Sequence, residues 1–416
     1  MSTRRSSVGI IFLTVLIDLI GFGIVIPVLP LYAKHFDATP VQIGFLVGVY
    51  SFCSFLFAPV LGRLSDRFGR RPVLIYSVIG TAFGFYLMGF APSLGAQLGG
   101  MGVLTLLFTA RIIDGISGGN ISTAQAYLAD ITAPEDRARA MGIIGAAFGL
   151  GFMIGPAIGG LTSQISLSAP FYFAGALATL NALFIFFRLP ESLSAEHRSD
   201  KHPRQSIGDL FRHANGSALA IVLATYFFSI AGFAIMTTLY AMFNLHRFGL
   251  DAKGTGYIFA LIGLIAVIIQ GGLLRRLLKR CSEAQLSVVG AALLAIALAL
   301  LSLVGSVSML ILVSTFSAIG NSFTTPTLQG LASRFVDQRW QGRAAGLMQS
   351  AGALGRTVGP VLAGWLLTFD LAKPVEHYAR TPFWVGSAVL TITFFLMLPL
   401  LKITPPVTAS ATPAAA

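Results

Sequence analysis

Charge is what this chain has least of: Asp, Glu, Lys and Arg make up 11% of its 416 residues, whereas 55% are hydrophobic. Such a composition excludes a soluble globular protein. Cysteine is nearly absent, and Cys53 and Cys281 fall in an apolar run and in a loop, so neither a disulfide nor a metal site is expected. The six histidines are scattered; His197, His202 and His213 lie in a polar stretch where solvation accounts for them. No nucleotide-phosphate loop, metal-ligand cluster or catalytic triad occurs, which disfavours ATP-driven work, enzymatic chemistry and any cofactor. The alternating segments of about ten residues that build a membrane barrel are missing too.

What is present is a dozen apolar runs, each near the roughly 20 residues that cross the hydrocarbon layer as a helix. They fall at 8–32, 41–61, 73–92, 100–129, 138–163, 168–188, 216–243, 254–274, 285–306, 307–333, 342–369 and 381–402, which predicts an all-α integral membrane protein of twelve spans. The first run follows Arg4 and Arg5 as a secretory signal would, but it is long, carries Asp18 and lacks a small-residue cleavage site. It therefore reads as a retained helix.

The net charge of +12 does not point to nucleic acid, because its distribution is one-sided. Of 28 Lys and Arg, 21 fall on one side of the twelve-span arrangement, five on the other, and Arg111 and Arg356 inside spans. This asymmetry predicts cytoplasmic termini in an inner or plasma membrane. The longest polar stretch, 189–215, divides the chain into a first bundle (1–188), a linker, a second bundle (216–402) and a cytoplasmic tail (403–416). Arg139, Gly142, Gly151, Gly155, Pro156 and Gly160 recur 204 positions later as Arg343, Gly346, Gly355, Gly359, Pro360 and Gly364. Two pseudo-symmetric six-helix repeats with a site between them at mid-membrane is an architecture of secondary transporters.

Three groups of residues carry candidate function. The stretch "GRLSDRFGRRP" (62–72) places Arg63, Asp66, Arg67, Arg70 and Arg71 at the end of span 2. Gly62 and Gly69 there permit a tight turn and close helix approach. The arginines are either a topology signal or part of a gate; Asp66, an acid among them, can accept their hydrogen bonds. In span 5, Gly151, Gly155 and Gly159 form one stripe, Gly145 and Gly149 another, and Pro156 interrupts the helix ladder; with Gly355, Gly359 and Pro360 of span 11 they read either as close packing or as a rocking seam between the halves. Ionisable groups inside spans are the third group, since each costs at least about 2.5–3.5 kcal/mol to insert. Arg111 and Asp114, at i and i+3, can neutralise each other. Asp18 has no charged partner in its own span and is a candidate for proton coupling, or else a static partner of Arg111. Arg356 either binds an anionic group, pairs with Asp18, or snorkels. Asn120, Gln125, Gln270, Asn321, Gln329 and Gln349 could line a cavity, with Tyr226, Phe233, Met236 and Tyr240 as its apolar wall.

These motifs resemble those of the major facilitator superfamily. The 62–72 stretch is similar to its signature loop, "RIIDGISGG" (111–119) to its span-4 arginine motif, "GIIGAAFGLGFMIGPAIGG" (142–160) to the span-5 motif of its antiporters, and "DLIGFGIVIPVLP" (18–30) to the span-1 motif of its twelve-span drug exporters. The likeness is greatest to the tetracycline-efflux-like branch. It implies that the 62–72 cluster latches the two halves in the outward-facing state, with Asp130 as a further partner, and that acids stand in spans 3 and 9 as well as span 1. Here span 3 has Gly84 at that place and span 9 carries no charge. The expected protein is a monomeric proton-coupled exporter of a small amphipathic organic compound, with tetracycline not its principal substrate. Uptake or facilitated transport of a metabolite or organic anion is the alternative, and a non-transporting receptor or scaffold is the alternative of another class.

Overall fold

The computed structural model describes residues 2–97, 101–132, 137–193, 210–211, 215–337 and 340–403. Most of the 189–215 linker and nearly all of the 403–416 tail lie outside the described residues, as do His197, His202 and His213. Helices account for almost everything else. α1 spans Ser2–His35, α2 Pro40–Phe68, α3 Arg70–Gln97, α4 Met101–Ser117, α5 Asn120–Ile131, α6 Arg137–Thr162 and α7 Ala169–Arg188. α8 spans Gly216–Phe248, α9 Ala252–Ile268, α10 Leu274–Leu277, α11 Glu283–Leu301, α12 Val307–Arg334, α13 Gln341–Leu367 and α14 Arg380–Met397. A π-turn, Ile269–Leu273, joins α9 to α10 within one crossing.

Among the described residues, eleven helical stretches are long and apolar enough to span a membrane, with α4 and α5 counted together. The twelfth crossing is α13. Its 27 residues reach about 40 Å, more than the roughly 30 Å of hydrocarbon, but six glycines and two arginines lower its hydropathy. Four of those glycines, Gly352, Gly355, Gly359 and Gly364, serve packing. Gly355 and Gly359 lie against the Phe227 and Ala231 carbonyls of α8, so close that a Cβ would come within 2.8 and 2.5 Å. In the first half, Gly151, Gly155 and Gly159 of α6 meet Leu19, Gly23 and Ile24 of α1 in the same way. Small residues let helix backbones approach where lipid offers no hydrophobic drive to pack.

These two stripes stand 204 positions apart and do the same job in each half, which is the repeat made physical. Of the two readings of these glycines, close packing within each half is what the stripes display. The cross-half contacts use a different stripe on the same two helices. The Pro156 carbonyl of α6 faces Gly256 of α9 and Gly160 faces the Ala252 carbonyl; the Pro360 carbonyl of α13 faces Gly44 of α2 and Gly364 faces the Pro40 carbonyl. A face offset by one residue on a helix of 3.6 residues per turn points about 100° away, so one helix serves its own bundle and the other half at once.

All four contacts sit at the end of the molecule opposite the 62–72 stretch. Gln164 adds a hydrogen bond across the halves there, its Nε2 donating to Asp251 Oδ2 at 2.9 Å. Toward the basic end, Gly145 of α6 and its repeat counterpart Gln349 of α13 are exposed, and a Cβ on Gly145 would meet nothing within 4 Å. The halves are thus closed at one end, with a cleft between them open toward the basic end.

Candidate functional site

The fourth crossing is where sequence and chemistry depart most from a plain helix. It breaks after Ser117, at Gly118 and Gly119, and restarts at Asn120. The glycines permit a close approach there: a Cβ on Gly118 would lie 2.7 Å from the Tyr50 hydroxyl, and one on Gly115 would lie 2.6 Å from the Tyr50 carbonyl. Ser54 of α2 ties down the same region by donating to the Gly115 carbonyl at 3.0 Å. A polar cluster from five helices gathers around it. Arg111 Nη1 pairs with Asp114 Oδ2 at 2.9 Å, both side chains fully enclosed, and the guanidinium lies 4.5 Å over the Tyr50 ring. Thr81 of α3 is buried near Asp114, its hydroxyl without a hydrogen-bond partner among the described residues. Asp18 of α1 reaches the amide of Asn120, the first residue of α5, and lies close to Asp114.

The structure therefore answers the question about Asp18 and Arg111: the arginine's carboxylate is Asp114. Among the described residues Asp18 forms no ion pair, and its neighbours are a neutral amide and a second acid. Asn120 is buried with its Oδ1 unpartnered, so the site holds more polar capacity than it uses. A carboxyl group beside a neutral amide, with no cation paired to it, can exist with or without its proton. Gly115, Gly118 and Gly119 were legible in the sequence as a surface for close contact with a neighbouring helix; Tyr50, which they meet, and the interruption of the helix at Gly118–Gly119 were not singled out, although paired glycines were the available signal.

Gly84 of span 3 packs onto the same place. A Cβ there would come within 3.0 Å of the Ala110 carbonyl and 3.1 Å of Asp114 Cβ. α4 fills the volume that an acidic side chain would need.

On the other half, Arg356 of α13 is half-buried and, among the described residues, makes neither a hydrogen bond nor an ion pair. It is not joined to Asp18. Gln329 of α12 donates to the Tyr226 hydroxyl of α8 at 3.1 Å, and Tyr226 and Arg356 flank Gly352. Asn321 accepts from Thr325 within α12 at 3.2 Å, and Gln125 is half-buried on α5. Gln270 is exposed in the π-turn. The supposed apolar wall holds only in part. Phe233 is half-buried, but Met236 and Tyr240 are enclosed in the second bundle, taking hydrogen bonds with Ser317 and Ser314.

The 62–72 stretch is not a loop. Gly62 to Phe68 finish α2, Arg70 starts α3, and the one residue between them is Gly69, at φ 104°. Gly62 is helical with open space around it, so the tight turn belongs to Gly69 alone. Arg70 is buried and pairs with Asp66 at 2.5 Å and with Asp130, in the last turn of α5, at 3.1 Å. Its Nη1 also donates to Ser65. Glu191, just beyond α7, accepts the Arg70 and Arg71 amides at 2.8 and 3.2 Å and so caps α3, a role the sequence reading missed. Arg71 binds the Phe186 carbonyl, Arg67 lies over Phe68, and Arg63 turns back to the Pro59 carbonyl. Both Arg70 ion pairs thus lie inside the first half, in a state whose cleft is open beside them.

A family model described as Major Facilitator Superfamily matches residues 11–357 and again 276–416. The chain is 36% identical to the class C tetracycline resistance protein of Escherichia coli, covering 94% of each chain. It is 30% identical to multidrug resistance protein 2 of Bacillus subtilis (strain 168), over 89% of this chain and 91% of that one. Among solved structures it is similar to the human organic anion transporter MFSD10 (TETRAN), at 27% identity, TM-score 0.69, and 95% and 99% coverage. A bacterial homologue of the human lysosomal transporter Spinster shares the fold at TM-score 0.75 and 18% identity, with 97% and 99% covered.

Proposed function

The chain belongs to the major facilitator superfamily, and we propose that it is a proton-coupled antiporter exporting small amphipathic organic compounds by alternating access. The observation that carries this reading is Asp18, a carboxyl group in a membrane span that lies beside the neutral Asn120 and, among the described residues, is paired with no arginine. A group that gains and loses a proton as the cleft changes sides links proton flow to conformation. Relatives named for tetracycline and multidrug resistance support export of drug-like compounds. The basic end, to which the twelve-span arrangement of the sequence assigns 21 of the 28 Lys and Arg, faces the cytoplasm. On this assignment the protein is an inner- or plasma-membrane monomer with both termini inside, and bundles at 1–188 and 216–402.

In proteoliposomes with an imposed pH gradient, Asp18→Asn abolishes uphill drug transport while the protein inserts and folds normally, because the amide keeps the shape and cannot release a proton. Undiminished uphill transport by this variant would remove Asp18 from the mechanism. Tetracycline should be a minor substrate, since Gly84 and the uncharged α11 core withhold two carboxylates from a cationic chelate. The same vesicles test this by comparing tetracycline with neutral and anionic amphipathic drugs. A second reading, transport of organic anions, is favoured by the unpaired Arg356 and by the likeness to a human organic anion transporter.

A further inference from the structure

Repeat symmetry makes the two walls of the cleft comparable residue by residue, and at one pair of positions they differ in kind. Phe152 of α6 and Arg356 of α13 stand 204 positions apart, the offset of the repeat. Phe152 sits against Phe22 of α1 with ring centroids 6.0 Å apart, and Phe22 against Tyr50 of α2 at 5.5 Å. Phe152 and Phe22 are half-buried, so this aromatic group keeps surface to offer. At the equivalent place in the second half stands a guanidinium without a partner among the described residues.

Its setting is built. Gly352, one turn before Arg356, lets Tyr226 and the guanidinium close over it; a Cβ there would lie 3.3 Å from Arg356 Nη1, 2.9 Å from Tyr226 Cε1 and 3.6 Å from the Tyr226 hydroxyl. Gln329 holds that hydroxyl at 3.1 Å. The Arg356 stripe of α13 faces the cleft: the exposed Gln349 is two turns away on it, while the exposed Val358 and Trp365 project from the opposite side of the helix. Arginine presents a planar fork that matches a carboxylate or sulfonate through two parallel hydrogen bonds. A cation left without a counter-ion in a membrane span is costly unless something supplies the charge.

We infer that Arg356, with Tyr226 and Gln329 beside it, is the head-group subsite for an organic anion whose aromatic or apolar body lies against Phe22, Tyr50 and Phe152. This names a substrate class for the transporter proposed above and rests on that reading. It does not rest on proton coupling. Substrates would be amphipathic carboxylates or sulfonates, discriminated from their neutral analogues by charge and from simple inorganic anions by the aromatic wall.

The test is binding to the full-length, detergent-solubilised protein without any gradient, so its outcome is separate from the flux assay on Asp18. Dansylglycine, dansylglycinamide and a dansyl-ethylenediamine cation share one fluorophore and differ in head-group charge. Dansylglycine should bind tighter than the amide by about tenfold or more, as expected for hydrogen bonds to charged groups. Arg356→Gln should bring that ratio to about one and leave the amide's affinity unchanged. Phe152→Ala should weaken both ligands together and keep the ratio. If Arg356→Gln does not fold, Arg356→Lys decides: a point charge in place of the fork should reduce the ratio without abolishing it. Equal binding of acid and amide, no saturable dansylglycine binding, or a ratio unchanged in the Arg356 variants would overturn the assignment.

Discussion

Two arginines inside spans, close in chemistry and opposite in circumstance, carry most of what single residues do here. Arg111 is enclosed, paired with Asp114 and stacked on Tyr50; Arg356 is half-buried and, among the described residues, unpaired. A buried pair of this kind adds little net stability, but removing one partner strands the other charge at a cost of about 3–5 kcal/mol. Arg111→Leu should therefore lower the thermal midpoint sharply in detergent, and the double variant Arg111→Leu/Asp114→Leu should recover most of the loss. Arg356→Gln should leave the midpoint near that of the parent protein. Equal destabilisation by both single variants would mean that Arg356 has a structural partner after all.

At the scale of elements, the chain uses glycine for two different purposes. In α6 and α13 it removes bulk so that backbones touch. At Gly69 it supplies a conformation: φ of 104° lies where an L side chain is strained, and the turn between α2 and α3 has no second residue to share the change. Gly69→Ala should cost more than about 1 kcal/mol and loosen the Arg70 network, because α3 begins at the residue that follows. Reduced expression together with faster proteolysis at the α2–α3 junction is the expected result. Gly62→Ala, in an open helical position, should be neutral by the same assay. The pair separates two glycines that look alike in "GRLSDRFGRRP".

For the whole molecule, the proposed alternating access requires two bundles closed at one end to exchange that closure for the other. The closed end rests on backbone contacts at Gly44, Gly256 and Gly364 and on the bond from Gln164 to Asp251. The basic end holds the Asp66–Arg70–Asp130 network inside the first half. If that network latches the halves when the cleft faces outward, it biases the conformational equilibrium without touching substrate. Asp66→Ala should then slow turnover by at least about fivefold, within the usual range of such couplings, and leave the substrate Kd in detergent nearly unchanged. A fall in affinity of the same size would place Asp66 near the ligand; unaltered turnover would reduce the motif to a topology signal.

The sequence by itself determined the class, the span count, the one-sided charge and the internal repeat, because each depends on composition or on spacing along the chain. Asp18, Arg111, Asp114 and Arg356 were legible for the same reason: charge inside an apolar run is conspicuous whatever the fold. Partnership was not. Whether Arg111 took Asp18 or Asp114, and whether Arg356 took either, depended on which helices became neighbours and at what rotation. The glycine stripes show the limit clearly, since Gly155 and Pro156 are adjacent in the chain yet serve different neighbours, α1 and α9. Spacing states which residues share a face, but only tertiary packing decides what that face meets. The interruption at Gly118–Gly119, the capping carboxylate of Glu191 and the pairing of Gln329 with Tyr226 all arose from that packing, where side chains distant in sequence compete for the same volume and the same hydrogen bonds.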